Sequence, residues 1–229
     1  MPQSNLNLEK LLPAPSLKEM ALSTIKEAIL SKKLEPEKMY TEAVLTNELG
    51  ISRTPVREAL IQLASQGLIV YHPRKGFQIK LLTERDVENL FELRLALEMA
   101  VIRHIAEELT DRSLTEIEKV WLRYQKVVQK GNPVLSIRAN RDFHICLANL
   151  TENSYLIKAL DEIRDLTDLA SIRSLEVDSR TLEAADEHEK IFAQLKKKSI
   201  NGALKEMENH LRTTKERVLA MIQKSRTPG

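Results

Sequence analysis

Three histidines and one asparagine are the chain's candidates for coordination chemistry. His144 stands on the helical row Ile137, Asn140, His144, Leu147; His188 follows Ala184/Ala185 and precedes Ile191/Phe192 and Leu195; His210 lies on the row Ala203, Met207, His210, Thr214, Val218. Each row is mostly apolar, so each imidazole is directed toward a core. A buried polar group without a partner costs about 1–3 kcal/mol. One divalent ion would satisfy several such groups at once, and imidazole suits Zn, Ni, Cu or Fe. Asn140 and His144 are four apart, so one helical turn can offer both side chains to the same ion. Taken singly, each histidine has a plainer reading as a core residue bonded to a backbone carbonyl. Three of the chain's five histidines in such positions favour a metal. His72, beside a basic loop, and His104, a boundary position on a helix, stay outside the set.

A second cluster is cationic. Between residues 50 and 80 stand Arg53, Arg57, Arg74, Lys75 and Lys80 against the single acid Glu58. The elements that must position them are two short helices, a turn and a hairpin. Val44, Leu45 and Leu49 mark one face of the first helix, and Gly50 supplies a left-handed stop. The second helix takes Ser52 or Thr54 as cap and Pro55 in its first turn. It buries Val56, Leu60 and Leu63/Ala64 and closes at Gly67, while its opposite, leading face carries Arg53, Thr54 and Arg57. Residues 68–71 and 77–79 read as strands joined by a loop over 72–76. An apolar back with a front of donors suits base edges and phosphates. A helix-turn-helix used only for packing would leave the basic helix start and the basic hairpin tip without a role.

The run Leu49-Gly50-Ile51-Ser52-Arg53-Thr54-Pro55-Val56-Arg57-Glu58-Ala59-Leu60, with Leu63, Gly67-Leu68 and Arg74-Lys75-Gly76, resembles the winged helix-turn-helix of the GntR family of bacterial transcription regulators. The resemblance implies that Arg53, Thr54 and Arg57 enter the major groove and that the wing tip, with Arg74, Lys75 and Gly76, reaches the minor groove.

Size and composition bound the rest. The chain has 229 residues and a formal charge of +2, enough length for a small and a larger domain. Residues 1–82 carry 11 basic and 8 acidic side chains, and the remainder 24 and 25, so the positive balance lies at the front. The single Cys146 excludes an internal disulfide and fits a reducing cytoplasm. No apolar run approaches the roughly 20 residues that span a bilayer. Few glycines, few aromatics and 30% charged residues indicate a mainly α-helical protein. The expected order is a loose arm over 1–15, a winged helix-turn-helix over 16–80 with three helices and a small β-hairpin, and an all-α antiparallel bundle of six to seven helices over 84–225. Bundle helices are expected over about 83–109, with Leu90, Leu93, Leu97, Val101 and Ile105 inside, then 114–130, 133–150, 154–175, 181–198, and a last helix after a break at 200–202.

The bundle resembles the FCD ligand-sensing domain, on Phe91-Glu92-Leu93-Arg94-Leu95-Ala96-Leu97-Glu98, Asn140-Arg141-Asp142-Phe143-His144, His188 and His210. The resemblance implies a metal held by Asn140, His144, His188 and His210, and an effector carboxylate met by Arg94 and Asn140. The FCD pattern usually has Asp where this chain has Asn140, which brings no charge to the ion. Such a site wants an anionic ligand more strongly. Arg94 has an alternative as an i,i+4 surface partner of Glu98, and Arg141 is turned away from Asn140.

Together these readings describe a cytoplasmic, homodimeric regulator, by analogy a repressor, bound to a near-palindromic operator. It would sense a small carboxylic acid through a divalent metal, zinc foremost, with nickel, manganese or iron as alternatives. One rival keeps the DNA-binding half and gives the bundle a metal-free pocket. Another is a three-histidine metalloenzyme, opposed by the lack of an HExxH motif and of any expected inward Glu or Asp beside the histidines. A purely structural adaptor would leave Arg53, Arg57 and the wing idle.

Overall fold

The computed structural model describes residues 14–172 and 178–226. The arm expected over 1–15 lies outside this span except for its last two residues. Helix α1 (Leu17–Leu30) starts where the Ser16 side chain and Glu19 cap each other reciprocally, and it buries Ala21, Ile25 and Ile29. Helix α2 (Glu42–Leu49) is capped by Thr41 and stopped by Gly50 at φ 63°. Helix α3 (Arg53–Ser65) follows and buries Val56, Ala59, Leu60 and Leu63. Ser52 occupies its cap position, yet its hydroxyl makes no capping bond. Val44, expected to face inward, is 46% exposed.

Strands β1 (Ile69–His72) and β2 (Gly76–Ile79) pair antiparallel, with Ile69 opposite Ile79 and His72 opposite Gly76. Lys75 N–H closes the turn on the His72 carbonyl at 3.0 Å, with Arg74 left-handed at φ 65°. The hairpin is tied back to the connector before α2. Tyr40 and Phe77 exchange backbone bonds of 2.9 and 2.8 Å and stack their rings.

Six helices form the remainder: α4 (Glu84–Glu107), α5 (Asp111–Gln129), α6 (Pro133–Asn149), α7 (Ser154–Ile172), α8 (Asp178–Lys196) and α9 (Ile200–Arg226). Thr83, Thr110 and Asn132 cap α4, α5 and α6, and Pro133 takes the first turn of α6, where no amide partner is needed. The break expected at 200–202 is displaced. Lys198 makes the turn in a left-handed conformation at φ 55°, and Gly202 lies inside α9. A Cβ on Gly202 would stand 2.7 Å from Ser199 Oγ, the side chain just ahead of α9.

Two large apolar clusters and a small one, Tyr124, Val128, Ala139 and Ala185, divide the interior of the described residues. The first joins α1, α2, α3 and the hairpin to Val87 and Phe91 of α4, Leu169 and Ala170 of α7, and Val218 and Ile222 of α9. The second fills the bundle with Val101, Ile117, Phe143, Leu147, Leu160, Ile191 and Met207 among others. The inner face of α4 keeps Val101 and Ile105 as expected and differs in its first half. It is Val87, Phe91, Arg94, Glu98, Val101, Ile102 and Ile105, while Leu93 is 51% exposed. Two charged residues stand in the buried row, so a reading of apolar residues alone placed the face one position off.

Candidate functional site

His144 on α6, His188 on α8 and His210 on α9 are all buried, and one nitrogen from each lies within 4.8 Å of the others. Three neighbouring acceptors orient the rings. His188 Nδ1 donates to the Ala184 carbonyl at 2.6 Å, and His210 Nδ1 lies 2.6 Å from Glu187 Oε2. His144 Nδ1 is 2.8 Å from Glu98 Oε1, close but out of line for a good hydrogen bond. A proton on each Nδ1 answers these acceptors and leaves the Nε2 lone pairs facing inward. His144 Nε2 and His188 Nε2 are 3.0 Å apart. Two lone pairs at that distance repel unless a cation or proton lies between them. Moving the His144 proton to Nε2 would instead set a bare Nδ1 against the Glu98 carboxylate. The donor set therefore fits a borderline divalent ion with nitrogen ligands.

The environment keeps the imidazoles neutral. Burial pushes the His144 pKa well below its ordinary value, helped by the charges of Arg164 and Arg94. Burial does the same for His188, helped by His210. Phe143 and Tyr124 pack edge-on against His188 and hold the ring from two sides.

Around the triad is a polar core that the sequence reading had not placed. Glu98 is fully buried, which overturns the expectation that no acid points inward beside the histidines; Glu187 is a second. Glu98 Oε1 receives Arg94 Nε at 3.2 Å. Arg94 is buried as well, so the pair is not on the surface, and its Nη2 reaches His144 Nε2 at 3.3 Å. Asn140 lies one turn before His144, where its Oδ1 accepts from Arg164 Nη2 at 2.7 Å. Arg164 is fully buried on α7. Its signal was present in the sequence: Leu160, Arg164 and Thr167 form one helical row, as did the residues flanking each histidine.

On the opposite half, Arg53, Thr54 and Arg57 are exposed at the start of α3, and Arg74 and Lys75 are exposed at the hairpin tip. Arg53, Arg57, Arg74 and Lys75, with Thr41, Glu42 and Tyr71, line a concave surface of about 340 Å³; Thr54 stands outside it. The Tyr71 hydroxyl donates to Glu42, and Arg57 Nε stands 3.8 Å from the same carboxylate. Glu42 thus holds Arg57 loosely without burying it. Gly76 is fixed by the fold, because a Cβ there would overlap the Tyr40 carbonyl oxygen and lie 2.9 Å from its carbon.

Comparison with known proteins bears on both halves. Residues 17–79 match the model of bacterial regulatory proteins of the gntR family, and residues 89–213 match the FCD domain. The chain belongs to the GntR family, in its FCD-containing branch. It is 31% identical over 180 residues to the HTH-type transcriptional regulator YdhC of Bacillus subtilis, covering 78% of this chain and 80% of that one. It is 22% identical to the transcriptional repressor RspR of Escherichia coli over 93% of both chains. Among solved structures, McbR/YncC of E. coli superposes with a TM-score of 0.80 at 20% identity, over 93% of this chain and 100% of that one. That last likeness speaks for the fold.

This GntR-family chain is a DNA-binding transcriptional regulator, and family membership places it among regulators rather than enzymes. Members of the family bind DNA operators and typically act as dimers, and some FCD domains bind metals. Among the described residues no helix is long and apolar enough to cross a membrane. Cys146 is half-buried, and burial pushes its thiol up to about 11, which keeps it unreactive at neutral pH.

Besides the apolar core shared with α4, α7 and α9, ion pairs on α7 join the regulator's two halves. Asp165 receives Lys26 of α1 at 2.5 Å and Arg141 of α6 at 2.6 Å. Arg141, turned away from Asn140 as its helical position requires, also reaches Asp168 at 3.2 Å and Asp161 at 2.6 Å. Burial opposes the charge on Arg141, but Asp168 and Asp165 outweigh it and raise its pKa.

Proposed function

We propose that this regulator is a homodimeric, cytoplasmic repressor of a near-palindromic operator, whose bundle binds a divalent metal and a small organic acid. The observation that carries the metal reading is the 3.0 Å approach of His144 Nε2 to His188 Nε2, with each Nδ1 beside an acceptor. Zinc suits three imidazoles best; nickel, manganese or iron are alternatives. His144, His188 and His210 would hold the ion, while Asn140 could add a neutral oxygen only by sharing the Oδ1 now bonded to Arg164. The metal would supply positive charge and open positions for a carboxylate.

The DNA reading rests on Arg53, Thr54 and Arg57 standing outward at the head of α3, with Arg74, Lys75 and Gly76 at the wing tip. Two such halves would read two half-sites. Repression follows the analogy with RspR. An effector alters operator binding only if it favours one arrangement of the two winged halves. The Lys26–Asp165–Arg141 ion chain and the apolar core shared by α4, α7 and α9 give it a physical route.

Metal content and operator binding test this together. The full chain, purified with and without chelator, is analysed for bound metal and titrated onto the DNA upstream of its own gene. We expect about one ion per chain, its loss in His188→Ala, and continued DNA binding by that variant. A chain that binds this DNA but takes up none of zinc, nickel, manganese or iron refutes the metal. It would favour the metal-free pocket, with His144 and His188 as a simple hydrogen-bonded pair.

A further inference from the structure

We propose that Arg164 is the anchor for the anionic group of the effector, a role the sequence resemblance would give to Arg94. The inference rests on the reading of the bundle as an effector site and adds the residue that receives the acid.

The donors of the two arginines are in different states. Arg94 directs Nε to Glu98 at 3.2 Å and Nη2 to His144 at 3.3 Å. Arg164, with no exposed surface, has one short bond, from Nη2 to Asn140 Oδ1 at 2.7 Å. Its approach to Glu98 through Nη1 is 3.5 Å, and its buried Nε has no hydrogen-bond partner. A buried guanidinium carries five N–H donors, and leaving one unmade in an apolar interior costs far more than leaving it in water.

Charge points the same way. Two buried guanidiniums share the single Glu98 carboxylate, which also stands beside His144. Asp168 is another acid whose charge reaches Arg164, but Arg141 already holds it at 3.2 Å. Asn140 is the decisive substitution. A carboxylate at that position would neutralise Arg164 directly, whereas the Asn140 amide accepts a hydrogen bond and leaves the positive charge standing.

Position completes the case. The guanidinium lies between Asn140, one turn before His144, and Glu98, whose Oε1 is 2.8 Å from His144 Nδ1. The Arg164 guanidinium is therefore one side chain removed from His144, and an oxyanion drawn to it sits beside the histidine cluster. A guanidinium edge is matched to a carboxylate, which takes two parallel N–H bonds. The ligand class is a small carboxylate or a comparable oxyanion.

The test uses full-length protein, chelator-stripped or zinc-loaded, titrated with acetate, succinate and inorganic phosphate as probes, read by thermal shift and calorimetry. At least one probe should stabilise the wild type. Arg164→Met should weaken that probe by about tenfold or more, the scale of a charge-assisted bond, and Arg164→Lys by less. Arg94→Met should weaken it less than Arg164→Met. Asn140→Asp, which keeps the size of the side chain and neutralises Arg164 in place, should weaken it comparably and so decides the matter if Arg164→Met does not fold. Unchanged probe binding in Arg164→Met or in folded Asn140→Asp overturns the proposal, as does a wild type that binds none of the probes. Zinc content is scored separately: an Arg164-dependent probe without zinc uptake sinks the metal reading and leaves this one standing.

Discussion

Lowering the pH of the chelator-treated protein from about 8 to about 5.5 challenges the neutral state of His144 and His188. Both pKa values are pushed down in the folded chain, so between the folded and unfolded values the unfolded chain binds more protons. Stability from these groups is then fully present above the unfolded value, about 6.5, and is lost as pH falls below it. One pH unit below, each neutral imidazole costs about RT ln 11, or about 1.4 kcal/mol, and the pair about 3 kcal/mol. Opposing influences do not cancel this. Glu98 stands 2.8 Å from His144 Nδ1, but burial with Arg164 and Arg94 outweighs it. For His188 the Ala184 carbonyl and Glu187 favour the proton, and burial with His210 and Arg164 prevails. Urea unfolding of the full chain at several pH values measures the loss directly. His188→Gln removes one of the two groups and should roughly halve the slope below pH 6.5. Stability that stays level across the interval, or an unchanged slope in the variant, would refute the neutral-imidazole account. Zinc-loaded protein should fall more steeply, because protons compete with the metal for the same lone pairs.

Two further outcomes follow from the packing. Gly76→Ala places a Cβ 2.9 Å from the Tyr40 carbonyl carbon, at a left-handed φ of 126°, against backbone that cannot rotate away. Thermal unfolding should show a loss of about 2–3 kcal/mol, and DNA binding should weaken as the wing carrying Arg74 and Lys75 shifts; an undisturbed melting curve would contradict the Tyr40–Phe77 tie. Asp165→Asn removes the shared partner of Lys26 and Arg141, both only partly exposed. It should cost about 1–3 kcal/mol and reduce the effect of a bound anion on operator affinity, read by fluorescence anisotropy; coupling of wild-type size would exclude this route.

The winged half was legible because local chemistry dictated it. Gly50 and Gly67 take the left-handed backbone at the ends of α2 and α3, and Val56, Leu60 and Leu63 mark the buried face without ambiguity. The histidine rows were legible for the same reason, since apolar neighbours at helical spacing point each ring inward. What failed was the assumption that charged residues mark the outside. Leu93 looked internal and is exposed, while Arg94 and Glu98 beside it form part of the inner face. Arg164 escaped notice on a row with Leu160 that the same test would have flagged. That a charged residue lies on an inner row is readable locally, but which partners on other helices it meets, as Arg164 meets Asn140 and Glu98, is not. Gly202 shows a related error: a glycine read as a helix end lies inside α9, close to the Gln194 and Ser199 side chains.

The spacing of site and core residues along individual helices explains how a small ligand could move a DNA-binding surface. On α4, Arg94 lies one turn from Phe91, which packs in the winged core. On α7, Arg164 is followed by Asp165, bonded to α1, and by Leu166, whose Cδ2 would meet a Cβ on Gly67 at 3.7 Å. Gly67 is the turn between α3 and β1. On α9, His210 precedes Val218 and Ile222 of the same core on one continuous helix. Each of these helices is stiff over such distances, and packed interfaces shift between discrete arrangements rather than deform smoothly. A shift of α7 on ligand binding would act directly on Lys26, bonded to Asp165, and on the winged core, which takes in Leu166, Leu169 and Ala170. Communication therefore needs no extended pathway: one turn of helix separates the anion's anchor from the base of the wing.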